Sequence, residues 1–141
     1  MITILIVHGT EWFDVFRRII RSELPYLAGN VLYTNSFDEA VDLTQVNHGL
    51  IVISSDRFYD RLSSYREFHK AVMPDRDKNG AKLAEMIKAK NPKCKFFIFS
   101  KYPISEESKF IDGFIPEHQP GDMLTQDVMM ILSRSIDSLR E

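Results

Sequence analysis

The sequence predicts a doubly wound α/β domain, and three features carry that prediction. Three short runs, Ile4-Leu5-Ile6-Val7, Leu50-Ile51-Val52-Ile53 and Phe96-Phe97-Ile98-Phe99, are apolar without polar alternation. Strands buried on both faces read this way. Amphipathic helical patterns lie between the runs, and no linker, repeat or low-complexity stretch interrupts them. Strand and helix in alternation give a parallel sheet with helices on both faces.

Each element has its own signal. After the first strand, Thr10 is a good N-cap, and Phe13, Phe16, Ile20 and Leu24 follow one helical face until Pro25. Val31-Leu32-Tyr33 is a shorter strand candidate. Ser36-Phe37-Asp38-Glu39 fits the S-x-x-E capping box and predicts a helix through Val46. After the second apolar run, residues 55 to 78 exceed an ordinary turn. Tyr59, Leu62, Tyr65, Phe68 and Val72 there are spaced like a short amphipathic helix ending before Pro74. Asn79 caps a helix that ends before Asn91-Pro92. Residues 101 to 113 contain Pro103 and about one turn of helical material, so a full crossover helix is missing there. Phe114-Ile115 is the fifth strand. Asp122 caps a last helix with Leu124, Val128, Ile131, Leu132 and Leu139 on one side.

Composition bounds the function. The 141 residues hold 44% hydrophobic and 27% charged side chains, which excludes a disordered tail, a collagen-like repeat and a coiled-coil rod. One cysteine, Cys94, forms no internal disulfide and favours a reducing compartment. No apolar run is long enough to span a bilayer, and the start lacks signal-peptide features. A cytoplasmic domain spanning 1–141 without membrane contact is the expectation. Basic and acidic residues number 3 and 6 over 1–55, 12 and 6 over 56–101, and 3 and 8 over 102–141. The basic middle raises nucleic-acid binding as the weakest alternative, because no aromatic–basic binding motif accompanies it.

At several points in order the chain resembles the receiver domain of bacterial response regulators. Ile4 to Val7 is followed by His8-Gly9, where receivers carry two acidic residues. Ser36-Phe37-Asp38-Glu39-Ala40 is similar to the family's opening of the second helix. Gly49 to Ile53 leads into Ser54, at the position of the phosphate-accepting aspartate. Met73-Pro74 and Asn79-Gly80-Ala81-Lys82-Leu83 look like one family motif stretched apart. Ser100 matches the hydroxyl residue ending the fourth strand, and Asp112-Gly113-Phe114-Ile115-Pro116-Glu117-His118 resembles the stretch carrying the family's lysine, here Glu117. The resemblance implies a five-stranded parallel sheet in the order 2-1-3-4-5, with an insert after strand 3 and a shortened or missing fourth helix.

The departures bear on chemistry. Receiver phosphorylation needs carboxylates to hold Mg²⁺ through hard oxygen ligands and a lysine to pair with phosphoryl oxygens. His8, Gly9, Ser54 and Glu117 supply none of these roles, and only Ser100 is retained. The implied reading is a pseudo-receiver, a non-phosphorylated regulatory module without cofactor or metal that acts by binding another signalling protein or a second copy of itself.

Other candidates compete with it. His8, Ser54, Ser100 and Glu117 at the strand ends suggest a small flavodoxin-like enzyme or ligand-binding domain, with Ser54 as nucleophile and His8 as base. Ser54 lies in Ile-Ser-Ser-Asp, however, and not in a G-x-S-x-G elbow. Asp75 to Gly80 opens like an EF-hand loop, but Met86 stands where a bidentate glutamate belongs. Trp12 reads as a packing residue, Cys94 as inert, and His48 and His69 have no metal-ligand spacing. Within the insert, Phe58, Tyr59, Tyr65, Arg66 and Phe68 have the composition of an interaction surface.

Overall fold

The computed structural model describes residues 2–44, 49–58, 78–104 and 106–140. Five strands form one parallel sheet: β1 (Ile2–Val7), β2 (Val31–Thr34), β3 (Gly49–Ser54), β4 (Lys95–Ser100) and β5 (Gly113–Pro116). Their order is β2-β1-β3-β4-β5. Among the described residues, four α-helices accompany them: α1 (Phe13–Glu23), α2 (Phe37–Leu43), α3 (Gly80–Lys90) and α4 (Gly121–Arg140). The fold expected from the apolar runs and the family resemblance is the fold observed.

Continuous apolar runs arise because alternate residues of each strand feed two separate cores. Ile4, Ile6, Ile51, Ile53, Phe97 and Phe99 join residues of α1 and α4 on one face. Leu5, Val7, Leu50, Val52, Phe96 and Ile98 join residues of α2 and α3 on the other. The register aligns Val7 with both Thr34 and Ser54, which brings the strand ends together beneath the site.

Helix boundaries follow local chemistry. Ser36 accepts the backbone N–H of Glu39, and Asn79 accepts that of Lys82 at 2.8 Å, so both N-caps are formed. Thr10 is not a cap. Thr10–Trp12 forms a 3₁₀ turn, α1 begins at Phe13, and Trp12 packs edge-on against Phe99 at 4.6 Å. Helix α2 ends at Leu43, where the buried Thr44 donates its hydroxyl to the Val41 carbonyl at 2.8 Å; Val46 lies outside the described residues. Helix α4 starts at Gly121, so Asp122 sits inside its first turn, where an acid complements the helix dipole.

The described residues between β4 and β5 form no helix. Ile104, Phe110 and Ile111 pack from this connection against the α2–α3 core and supply the apolar cover that a helix would give. Asp112 anchors its end, accepting from Lys88 Nζ at 2.7 Å and from the Phe96 backbone N–H at 2.8 Å. After β3, Arg57 and Asn79 form an antiparallel bridge, and the Gly80 N–H donates to the Asp56 carbonyl at 2.7 Å. The described residues on either side of 59–77 are therefore held together. A side chain at Gly80 would press on the buried Ile98 and sit tightly against Asp56, so glycine gives this closure its room.

Phe58 corrects one expectation. It is fully buried in the α2–α3 core, with its ring nearly perpendicular to Phe37 at 5.3 Å. Phe58 is a core residue and not part of an exposed rim. Tyr59, Tyr65, Arg66 and Phe68, and with them the predicted helix of the insert, lie outside the described residues. His48, His69, Asp75 and Asp77 do so as well.

Candidate functional site

His8 follows β1, Ser54 ends β3, Ser100 ends β4 and Glu117 follows β5. Parallel strands bring these positions to one edge, the usual ligand side of an open α/β sheet. His8 is the centre of the cluster. The Gly9 backbone N–H donates to its Nδ1 at 2.8 Å, which fixes Nδ1 as an acceptor and places the ring proton on Nε2. Nε2 in turn faces the Phe99 carbonyl at 3.1 Å and Glu117 Oε1 at 3.4 Å. Trp12 and Phe99 pack against the same ring, at 6.1 and 5.3 Å between centroids.

This environment sets the charges. Burial lowers the His8 pKa from 6.5 to about 4, outweighing the Phe99 carbonyl and the Glu11 carboxylate, which act in the opposite direction. A doubly protonated ring would also turn an Nδ1 donor against the Gly9 donor. His8 is therefore neutral at pH 7, and its contact with Glu117 is a hydrogen-bonding contact rather than an ion pair. Burial, followed by the charge of Glu11, raises the pKa of Glu117. The Lys101 backbone N–H and the Trp12 indole N–H both donate to Glu117 and oppose that shift.

The two serines are engaged elsewhere. Ser54 is fully buried and donates its hydroxyl to the Ser55 carbonyl at 2.8 Å. Ser100 Oγ accepts the Tyr102 N–H at 3.2 Å, and its carbonyl accepts the Glu117 N–H at 2.9 Å. The His8 lone pair that a general base would use is taken by Gly9, so the hydrolase arrangement of His8 with Ser54 is not assembled. Among the described residues, no group of three His, Cys, Asp or Glu side chains is placed to hold a metal ion.

Two further residues belong to the site. The Glu11 carboxylate lies directly over Gly9, in space that a side chain at position 9 would take only if Glu11 swung aside. Asp56, two residues beyond β3, is 1% exposed. Sequence spacing gave no reason to add Glu11 to the strand-end set, because only the 3₁₀ turn folds it back over Gly9. Cys94 is buried, and burial pushes its thiol up to about 12, so it is held as an inert thiol. An open groove of about 500 Å³ beside β5, floored by Ile104, Ile111 and Phe114, is lined by none of His8, Ser54 or Glu117.

No protein-family model and no curated protein matches the chain. Solved structures do. A CheY-like response regulator receiver domain protein from Methanospirillum hungatei is 15% identical, with 96% of each chain covered and a TM-score of 0.63. The receiver domain of a sensor histidine kinase from Pseudomonas aeruginosa, with magnesium coordinated in its active-site cleft, is 12% identical. That match covers 96% of this chain and 97% of the other, with a TM-score of 0.62. Lysine decarboxylase A from Pseudomonas aeruginosa is 16% identical over 95% of this chain, with a TM-score of 0.59, and the chain spans 18% of that protein. In sheet order, helix placement and extent of superposition, the chain has the fold of a response-regulator receiver domain.

Proposed function

We propose that the chain is a pseudo-receiver, a single regulatory domain over 1–141 that acts by binding another signalling protein without accepting a phosphoryl group. The observation that carries this reading is Glu117. At the position where the family resemblance implies a phosphate-pairing lysine, a carboxylate accepts hydrogen bonds from Trp12 and Lys101 and faces His8. That carboxylate would repel the phosphoryl oxygens a lysine attracts. Ser54 supports the same reading, since a serine forms no acyl phosphate and here points its hydroxyl at its neighbour's carbonyl.

A non-enzymatic role is part of this reading, supported by the separate hydrogen bonds of His8 Nδ1 with the Gly9 N–H and of the Ser54 hydroxyl with the Ser55 carbonyl. Among the described residues no helix is long and apolar enough to cross a membrane. Tyr59, Tyr65, Arg66 and Phe68 are the proposed contacts for the partner protein. Incubation with a small phosphodonor or beryllofluoride and Mg²⁺ is expected to leave the intact mass and the melting temperature unchanged. A stoichiometric phospho-adduct on Ser54 or Asp56 would overturn the proposal.

A further inference from the structure

The Glu117 side chain is 14% exposed and is met at the strand ends by hydrogen-bond donors from separate stretches of the chain. Its main chain is fixed on both sides. The Glu117 N–H donates to the Ser100 carbonyl at 2.9 Å, and the Glu117 carbonyl accepts the Gln119 N–H at 3.2 Å. The Gln119 side chain closes the same turn on the Pro116 carbonyl at 2.9 Å. The carboxylate accepts from the Trp12 indole and the Lys101 backbone N–H, and its Oε1 lies 3.4 Å from His8 Nε2.

Charge does not account for this placement. The Glu11 carboxylate disfavours a second negative charge here, and the Lys101 ammonium offsets it less than the two N–H groups do. Burial disfavours the charge as well. The N–H groups hold the carboxylate, since hydrogen bonds to an ionised acceptor are roughly twice as strong as neutral ones. Trp12 in turn depends on the contact. It belongs to the Thr10–Trp12 turn, none of whose residues is buried. That turn is fastened by the Trp12 ring on Phe99 and by its N–H on Glu117.

We propose that the strand-end edge carries an anion site whose occupant is the chain's own Glu117 carboxylate, held by the Trp12 and Lys101 N–H groups, so that the turn after β1 stays docked without a ligand. Glu11 sets the class of anion, because a single negative charge is favoured beside it over a doubly charged phosphate. While Glu117 fills the site, small carboxylates in solution do not enter; once its side chain is removed, they do. The inference rests on the pseudo-receiver reading for its meaning. A domain with a fixed internal anion keeps one state at the strand ends, and its regulation passes through the partner.

NMR of the isotope-labelled full chain tests it, because the single tryptophan gives a single indole N–H resonance. In the wild type that resonance is expected downfield, slow to exchange with solvent and indifferent to sodium formate. Glu117→Ala is expected to move it upfield and to speed its exchange about tenfold. Formate, the smallest carboxylate, should reverse both changes saturably, and sodium chloride at equal ionic strength should not. Glu117→Gln keeps an acceptor oxygen and the same volume, so its resonance should shift less, exchange faster than in the wild type and ignore formate. A wild type that responds to formate, or a folded Glu117→Ala protein that does not, would overturn the proposal. If Glu117→Ala does not fold, Glu117→Gln decides, and an indole resonance identical to the wild type in position and exchange overturns it. These readouts are blind to phosphoryl transfer and to partner capture, so this inference and the pseudo-receiver reading can fail separately.

Discussion

Replacing Phe58 with alanine is expected to lower the unfolding free energy by about 3–5 kcal/mol, the usual cost of emptying a fully buried aromatic site. The melting temperature should fall by roughly 10 °C. The ring is 0% exposed and stands edge-on to Phe37, which is itself buried under α2. Truncation therefore opens a cavity between the start of α2 and the stem of the insert. Chemical denaturation at neutral pH reads the effect. Tyr65→Ala combined with Arg66→Glu is the informative comparison, expected to leave stability nearly unchanged while weakening partner capture. Equal stability of Phe58→Ala and wild type would contradict the packing described.

Acidification should destabilise the protein through His8. Its folded pKa, about 4, lies below the ordinary 6.5, so the unfolded chain takes up the proton first. The contribution is fully present above pH 6.5 and is lost as pH falls towards 4. The difference between those values corresponds to about 3 kcal/mol. Glu117 acts in the opposite sense. Its pKa is raised on folding, so its contribution is greatest at low pH and is lost as pH rises through the folded value. The His8 shift is the large one, and the net slope should follow it. Urea unfolding at pH 7, 5.5 and 4 measures that slope. His8→Asn retains an acceptor for the Gly9 N–H and carries no titratable ring, so it should remove most of the slope. Trp12 is the one tryptophan in the chain and its ring lies beside His8; its fluorescence should report protonation in the wild type and not in the variant.

The sheet was legible because its signal is redundant. Every residue of Ile4 to Val7 serves one of two cores, so the run cannot be mistaken for a half-exposed strand. Ser36 and Asn79 were legible because capping is a local hydrogen bond decided within three residues. Thr10 misled for a tertiary reason: the 3₁₀ turn in which it lies also carries Trp12 to Phe99 and Glu117, residues nearly ninety or more positions away in the chain. Phe58 misled because an aromatic beside arginines in an insert has the composition of an interaction surface, whereas its place is set by Phe37 on α2. The strand-end residues could be named in advance, since parallel strands in known order share an edge. Their contacts could not. The tautomer of His8 depends on one backbone N–H, and the nearness of Glu11 to Gly9 depends on how the following turn folds.

The bridge between Arg57 and Asn79 has a consequence for how such a chain can vary over generations. Because the described residues at both ends of residues 59–77 are fastened together, the closure cost of this stretch grows only slowly with its length. Doubling it costs about 0.6 kcal/mol, less than a typical single substitution. A change in length between Arg57 and Asn79 is therefore expected to leave the register of the five strands in place. The β4–β5 connection has no such freedom, since Ile104, Phe110 and Ile111 are built into the core. Diversity in binding among chains of this design should therefore accumulate after β3, with the β4–β5 crossing kept nearly constant in length.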